Sequence, residues 1–204
     1  MKTPCALLLF LLFASLISCS SAEKKLPDGL VDTHSFMQKG DFWLRRGCYE
    51  KAERYYKGAR QVAERIDSRD SIVHSLNKLA AVCLMANDYA GALGYAQKAV
   101  ILAGDAIGPE LKSAISGNLA SIANALGKPD DAEKYWQESL SIARLYNIKL
   151  QQLVTLANLA RARRLRGDNV ASRQALAEAT TIMEADNEYK NANVLLQYGL
   201  LLKD

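Results

Sequence analysis

The sequence predicts an all-α protein assembled from a 40-residue repeat. Two observations carry this. The 204-residue chain holds only four prolines and is rich in alanine and leucine, a composition that favours helices over sheets. Small residues also recur at a fixed interval: Ala52, Ala92, Ala132 and Ser172 stand 40 positions apart.

Further columns follow the same period without gaps. Twelve positions earlier stand Gly40, Ala80, Ala120 and Ala160, and seven positions later stand Ala59, Ala99, Ser139 and Ala179. Only Gly, Ala and Ser occupy these columns, and there is a physical reason. Antiparallel helices approach closely only where a small side chain leaves room and bulky neighbours fill the gaps. Turn residues precede the alanine column: Gly47-Cys48, Asn87-Asp88, Gly127-Lys128 and Gly167-Asp168. The pattern predicts helices over 31–46, 49–66, 70–86, 89–103, 110–126, 129–146, 149–166, 169–185 and 189–202. Gly108-Pro109-Glu110 fits a helix start, because proline is tolerated where the first N–H groups have no helical partner.

The first repeat, with Phe36, Gly40, Trp43, Gly47, Tyr49, Ala52, Tyr56 and Ala59, resembles the tetratricopeptide repeat. The tripeptides Asn118-Leu119-Ala120 and Asn158-Leu159-Ala160 restate the pattern. The common form of that family has about 34 residues per repeat, so the resemblance is to its longer variants. It implies a right-handed α-solenoid of four helix-turn-helix repeats, at about 33–72, 73–112, 113–152 and 153–192, with the first helix of each pair on the concave side. Residues 31–204 form this domain, and helix 189–202 caps it. Val194 to Leu202 carries six aliphatic residues, more than one buried face needs, so a homodimer contact through this helix is the competing reading. Two residues depart from the pattern. Lys39 replaces the leucine of Leu79, Leu119 and Leu159, as expected of a polar end repeat. Arg163 stands in the column of Trp43, Cys83 and Ala123, where its stem can run outward along the surface.

The N-terminus has a separate character. Lys2 precedes an apolar run from Cys5 to Ile17, followed by Ser18, Cys19, Ser20 and Ser21. This is the layout of a secretory signal peptide, too short for a spanning helix. Leu16-Ile17-Ser18-Cys19 resembles the lipobox of bacterial lipoproteins. That resemblance implies removal of residues 1–18, lipidation of Cys19 and a short linker over 19–30. Ser20 follows the cysteine, where Gram-negative lipoproteins retained in the inner membrane carry Asp. The implied location is the outer membrane, facing the periplasm. Plain secretion, with cleavage near Ser20 or Ala22, is the alternative.

Loss of the leader takes Lys2 with it and lowers the net charge from +4 to +3, too mild a balance to argue for nucleic acid. Cys48 and Cys83 fall at different repeat positions, so a disulfide framework is not expected. No glycine-rich phosphate loop, metal motif or GxSxG is present. The sequence therefore argues against an enzyme and calls for no cofactor.

Helical spacing predicts the concave face. His34, Met37, Asp41 and Leu44 share one side of the first helix. The 40-residue translation adds His74, Asn77, Ala81 and Leu84, then Ala114, Gly117, Ser121 and Asn124, then Val154, Ala157, Arg161 and Arg164. His34 and His74 lack carboxylates at ligand spacing, so two solvated histidines are favoured over a metal pair. Arg161, Arg163, Arg164 and Arg166 form a basic turn. It reads either as a site for an acidic peptide or protein, since arginine pairs with carboxylates, or as a solvated helix end favoured by the dipole. The expected function is an envelope-anchored scaffold or adaptor that binds a peptide or protein segment in this groove. The alternative is a structural component that self-associates through the last helix.

Overall fold

Eight α-helices joined by short turns account for nearly all of the residues described in the computed structural model, 33–104 and 106–185. They are α1 (Thr33–Leu44), α2 (Tyr49–Arg65), α3 (Arg69–Met85), α4 (Tyr89–Ala103), α5 (Pro109–Ala125), α6 (Pro129–Leu145), α7 (Lys149–Leu165) and α8 (Asn169–Glu184). Their ends fall within two residues of the sequence expectation. The leader, Cys19, the linker and helix 189–202 lie outside the described residues.

One local device ends six of the helices. A residue with positive φ follows the last turn: Gly47 (71°), Asp67 (51°), Asn87 (61°), Gly127 (71°), Asn147 (54°) and Gly167 (82°). The next N–H then reaches back five residues, as from Cys48 to the Trp43 carbonyl (3.1 Å), Asp88 to Cys83 (2.8 Å) and Ile148 to Ala143 (2.8 Å). Orphaned carbonyls at the helix end are thereby satisfied. The left-handed conformation is cheapest for glycine and next for Asn and Asp, which explains the turn column read from the sequence. The α4–α5 junction departs from this scheme. Gly104 (φ 51°) stops α4 short, and a five-residue connection, 104–108, brings the chain to Pro109 in register.

Each odd-numbered helix packs antiparallel on the next even-numbered one, and each pair stacks on its neighbour, giving an all-α solenoid of helix pairs. All of the small-column residues are buried, from Gly40 to Ala179. The contacts show why. A Cβ on Gly40 would stand less than 3 Å from three atoms of the Tyr56 ring, and one on Gly58 would meet the ring of Phe36. The two helices of the first pair thus exchange an aromatic ring for a bare backbone in both directions. At the fourth pair two small columns meet directly, Ser172 Oγ donating to the Ala160 carbonyl at 2.8 Å. Between α5 and α6, Ser113 and Ser139 each donate to the other's carbonyl at 2.8 Å. Cys83 is buried, which pushes its thiol pKa up to about 11, and no disulfide joins it to Cys48.

Arg163 shows how a charge is accommodated in a core column. Its guanidinium reaches Glu133 on α6 at 2.5 Å, and Arg166 also pairs with Glu133. Burial raises the Glu133 carboxyl pKa, but hydrogen bonds and charge from Arg163 and Arg166 outweigh this and hold it below its ordinary value. Three charged groups thus clip the third pair to the fourth.

Two stability outcomes follow. Gly40→Ala should lower the melting temperature although alanine is the better helix former, because overpacking costs about 1–3 kcal/mol against about 1 kcal/mol gained in propensity. An unchanged or raised melting temperature would mean that Tyr56 yields freely. Glu133→Ala strands a half-buried Arg163 and should cost about 1–3 kcal/mol, whereas the double variant Glu133→Leu/Arg163→Met, which replaces both partners with apolar side chains, should be nearly neutral. Because the folded pKa of Glu133 is depressed, its contribution is complete above the ordinary 4.5 and fades as pH falls through the folded value. Acid melting curves of parent and Glu133→Ala should therefore converge as pH falls from the ordinary 4.5 through the lower folded value.

Candidate binding groove

The first helices of the pairs form the inner layer. The backbones of α1, α3, α5 and α7 approach one another in succession, while those of the second helices stay further apart. The two central first helices, α3 and α5, are each covered by their own partner, by the preceding pair and by the next first helix. One strip of side chains remains open to solvent.

That strip runs along 34, 38, 41 and 45 and their 40-residue equivalents, one face of an α-helix. It therefore includes Gln38, Lys78, Asn118 and Asn158, a column that sequence spacing alone passes over. Two residues expected on the face are instead buried. Met37 lies beneath α3, where Ser75 Oγ stands 3.8 Å from its sulfur. Asn77 lies beneath α5, where the Asn118 amide donates to its Oδ1 at 2.8 Å and to its carbonyl at 3.2 Å. Adjacent first helices touch on this flank, so Met37 and Asn77 hold repeats together and offer no surface. Smaller residues, Gly117 and Ala157, leave the same column half-exposed further along.

The strip changes chemistry along its length. At the first end His34 is exposed and shares a 2.8 Å hydrogen bond with Gln38. Asp41 accepts from the Tyr56 hydroxyl at 2.6 Å and from the Lys78 ammonium at 2.8 Å, tying α1, α2 and α3 together. Burial raises the Asp41 pKa, but these two hydrogen bonds, with the charges of Lys78 and Arg45, pull it below its ordinary value. His74 is held below the usual histidine range by desolvation of its ring and by the Lys78 charge, against the pull of Asp41. The middle is smooth: Ala114 is half-buried, and Ser121 donates to the Gly117 carbonyl of its own helix at 3.0 Å. Asn124 is exposed. At the far end Val154 and Arg161 are exposed and Arg164 is half-buried. The basic turn therefore divides. Arg163 and Arg166 face α6 and are paired with Glu133, while Arg161 stands on the inner strip.

A second hollow, of about 630 Å³, opens between α4, α5 and α6. Val100, Ile101, Tyr135 and Ile142 are among its walls, with Ile115 and Leu119 beneath. It exists because α4 ends early. Between α6 and α8, Arg144 forms a bidentate pair with Glu178, Nε donating to Oε1 at 3.0 Å and Nη2 to Oε2 at 2.6 Å. The 40-residue equivalents are Gly104 and Glu138, so the bridge is missing one repeat earlier. A glycine where the arginine belongs was the signal for it in the sequence.

Among the described residues no group of three or more His, Cys, Asp or Glu is placed to hold a metal ion, and no helix is long and apolar enough to cross a membrane. Chemically the inner strip is suited to holding a chain by hydrogen bonds and charge, through amides, hydroxyls and an exposed guanidinium at its far end.

Comparison with known proteins agrees with this architecture. No curated protein matches the sequence. Among solved structures, that of aspartyl phosphate phosphatase F from Bacillus subtilis is similar, with a TM-score of 0.69, 14% sequence identity and 83% of this chain covered. The match spans only 44% of that chain, and at this identity the likeness is one of fold. The sequence profile of the tetratricopeptide repeat matches residues 33–102 and 112–185. Both the small-residue columns and the helix-pair stack are thereby accounted for, and the chain belongs to the tetratricopeptide repeat family.

Proposed function

We propose that this protein is a lipid-anchored adaptor of the cell envelope, holding a peptide or protein segment along the inner strip of its solenoid. Membership of the tetratricopeptide repeat family supports a scaffold for protein partners. The observation that carries the groove reading is the uneven chemistry of the strip. Its first end pairs Lys78 with Asp41, its middle is uncharged and smooth, and its far end presents Arg161 exposed on the strip. A segment with a carboxylate at one end and small or apolar residues behind it fits that order, because arginine binds carboxylates through charge-assisted hydrogen bonds.

Anchoring rests on the sequence Leu16-Ile17-Ser18-Cys19. Each buried methylene contributes about 0.8 kcal/mol, and one acyl chain alone binds only marginally. Two or three chains on Cys19 hold the protein at the membrane for as long as it exists. Ser20, in place of the aspartate of retained lipoproteins, directs the proposal to the outer membrane.

Both halves are testable. The double variant Arg161→Glu/Arg164→Glu should weaken capture of an acidic partner in an in-cell crosslinking pull-down by tenfold or more, the order expected for losing one charge-assisted contact of about 1.5–3 kcal/mol. Undiminished capture would remove the groove from the account. Separately, Cys19→Ser should abolish incorporation of labelled palmitate and move the protein from the membrane pellet to the soluble fraction. A variant that still pellets unlabelled would point to an uncleaved leader instead of a lipid.

A further inference from the structure

The four turns between the helices of a pair lie along one edge of the solenoid, and the first differs from the rest. Phe42, at the end of α1, is 42% exposed. The residues at its 40-residue equivalents, Val82, Ile122 and Ala162, are buried. Phe42 meets Trp43 edge-on, with ring centroids 5.2 Å apart and planes at 89°. Both rings carry a cation. The Arg46 guanidinium lies 3.5 Å above the Phe42 centroid, and the Lys51 ammonium lies 4.3 Å from that of Trp43. Arg45 is exposed beside them, and neither it nor Arg46 forms an ion pair among the described residues. Glu50 is the acidic residue of this turn; Glu53, one turn further along α2, is engaged by Lys57 at 2.7 Å. The equivalent turns carry Met85-Ala86, Ala125-Leu126 and Leu165-Arg166 in place of Arg45-Arg46, and no aromatic pair.

Aromatic rings flanked by cations suit the boundary between hydrocarbon and water, where an apolar body can sink while its polar surroundings stay wet. Cations close to an anionic bilayer gain about 1 kcal/mol each, or roughly fivefold in partitioning. An arginine lying flat on a ring presents charge and apolar surface together, the combination that a headgroup layer accepts.

We infer that the α1–α2 turn is a membrane-contact surface: Phe42 and Trp43 enter the headgroup layer of an anionic phospholipid bilayer while Arg45, Arg46 and Lys51 lie against its phosphates. Charge complementarity selects an anionic lipid surface. This contact does not depend on a lipid at Cys19. Of the inner strip, contact through this edge takes up the Arg45 position and leaves the rest open to a partner.

The test uses residues 32–204, the fragment that holds all eight described helices. The fragment is sedimented with vesicles of phosphatidylglycerol and phosphatidylcholine, and with phosphatidylcholine alone. It should bind the anionic vesicles, release with rising salt and bind the neutral ones weakly. Arg45→Gln/Arg46→Gln should lose about fivefold per arginine, Phe42→Ser should lose binding with little change in salt dependence, and Arg161→Gln should bind as the parent does. These exposed substitutions should leave the helical circular dichroism unchanged. Failure of the parent to bind, equal binding to neutral vesicles, or undiminished binding by the turn variants would overturn the inference. Because Cys19 is absent from the fragment, failure of the lipidation proposal leaves these outcomes unaffected.

Discussion

The structure depends on the closeness of two helices within each pair. Where Gly40 faces Tyr56 and Gly58 faces Phe36, no atom can be added without displacing a ring. That contact sets the distance between α1 and α2; in the other three pairs the Gly40 column holds Ala80, Ala120 and Ala160, all fully buried, and these small side chains keep the helices close. Stacking follows from it. A pair held at fixed spacing presents the same outer surface every 40 residues, so the next pair docks in the same way and stability accrues along the stack. Interfaces between pairs then add polar clips particular to each junction: Asp41 with Lys78, Asn118 with Asn77, and Glu133 with Arg163 and Arg166.

The same constraint decides where a partner can reach. With the first helices packed against their partners and against one another, one strip of each stays open, and its members sit at equal intervals along the stack. A ligand lying along the strip meets one position from each repeat, so its recognition is spread over several weak contacts. This places the carboxylates and guanidiniums of the clips off the strip or neutralises them upon it. Arg161, standing on the strip outside those clips, is therefore the distinctive charge of the far end. The early end of α4 breaks the regularity at one place only among the described residues, and there the outer side opens into an apolar hollow.

Much of this was legible in the sequence because the repeat is exact in period. Three small columns located the eight described helices, and the turn column located four of the six left-handed residues that end them, Asp67 and Asn147 falling outside it. The face of the groove was legible only in part. Spacing on an isolated helix treats positions 37 and 38 as nearly equivalent, yet Met37 and Asn77 are buried while Gln38 and Lys78 are open. What separates them is the side from which the next first helix approaches, and no single helix carries that information. Arg163 was recognisable as out of place, but its partner was not, since Glu133 lies 30 residues away on another helix. The shortened α4 was foreshadowed by Gly104, and the turn of Phe42, Trp43, Arg45 and Arg46 became distinctive only once the rings and cations were seen to stack.

The central claim is that a partner lies along the inner strip. The most direct test places a photocrosslinking amino acid at Ser121 or Asn124 on the inner side and, in parallel, at Lys134 on the exposed outer side of α6, in the full chain in cells. The account predicts one partner, crosslinked from positions 121 and 124 and absent from 134. A partner captured from 134 alone, or from all three positions alike, would contradict it and move the binding surface to the outside of the solenoid.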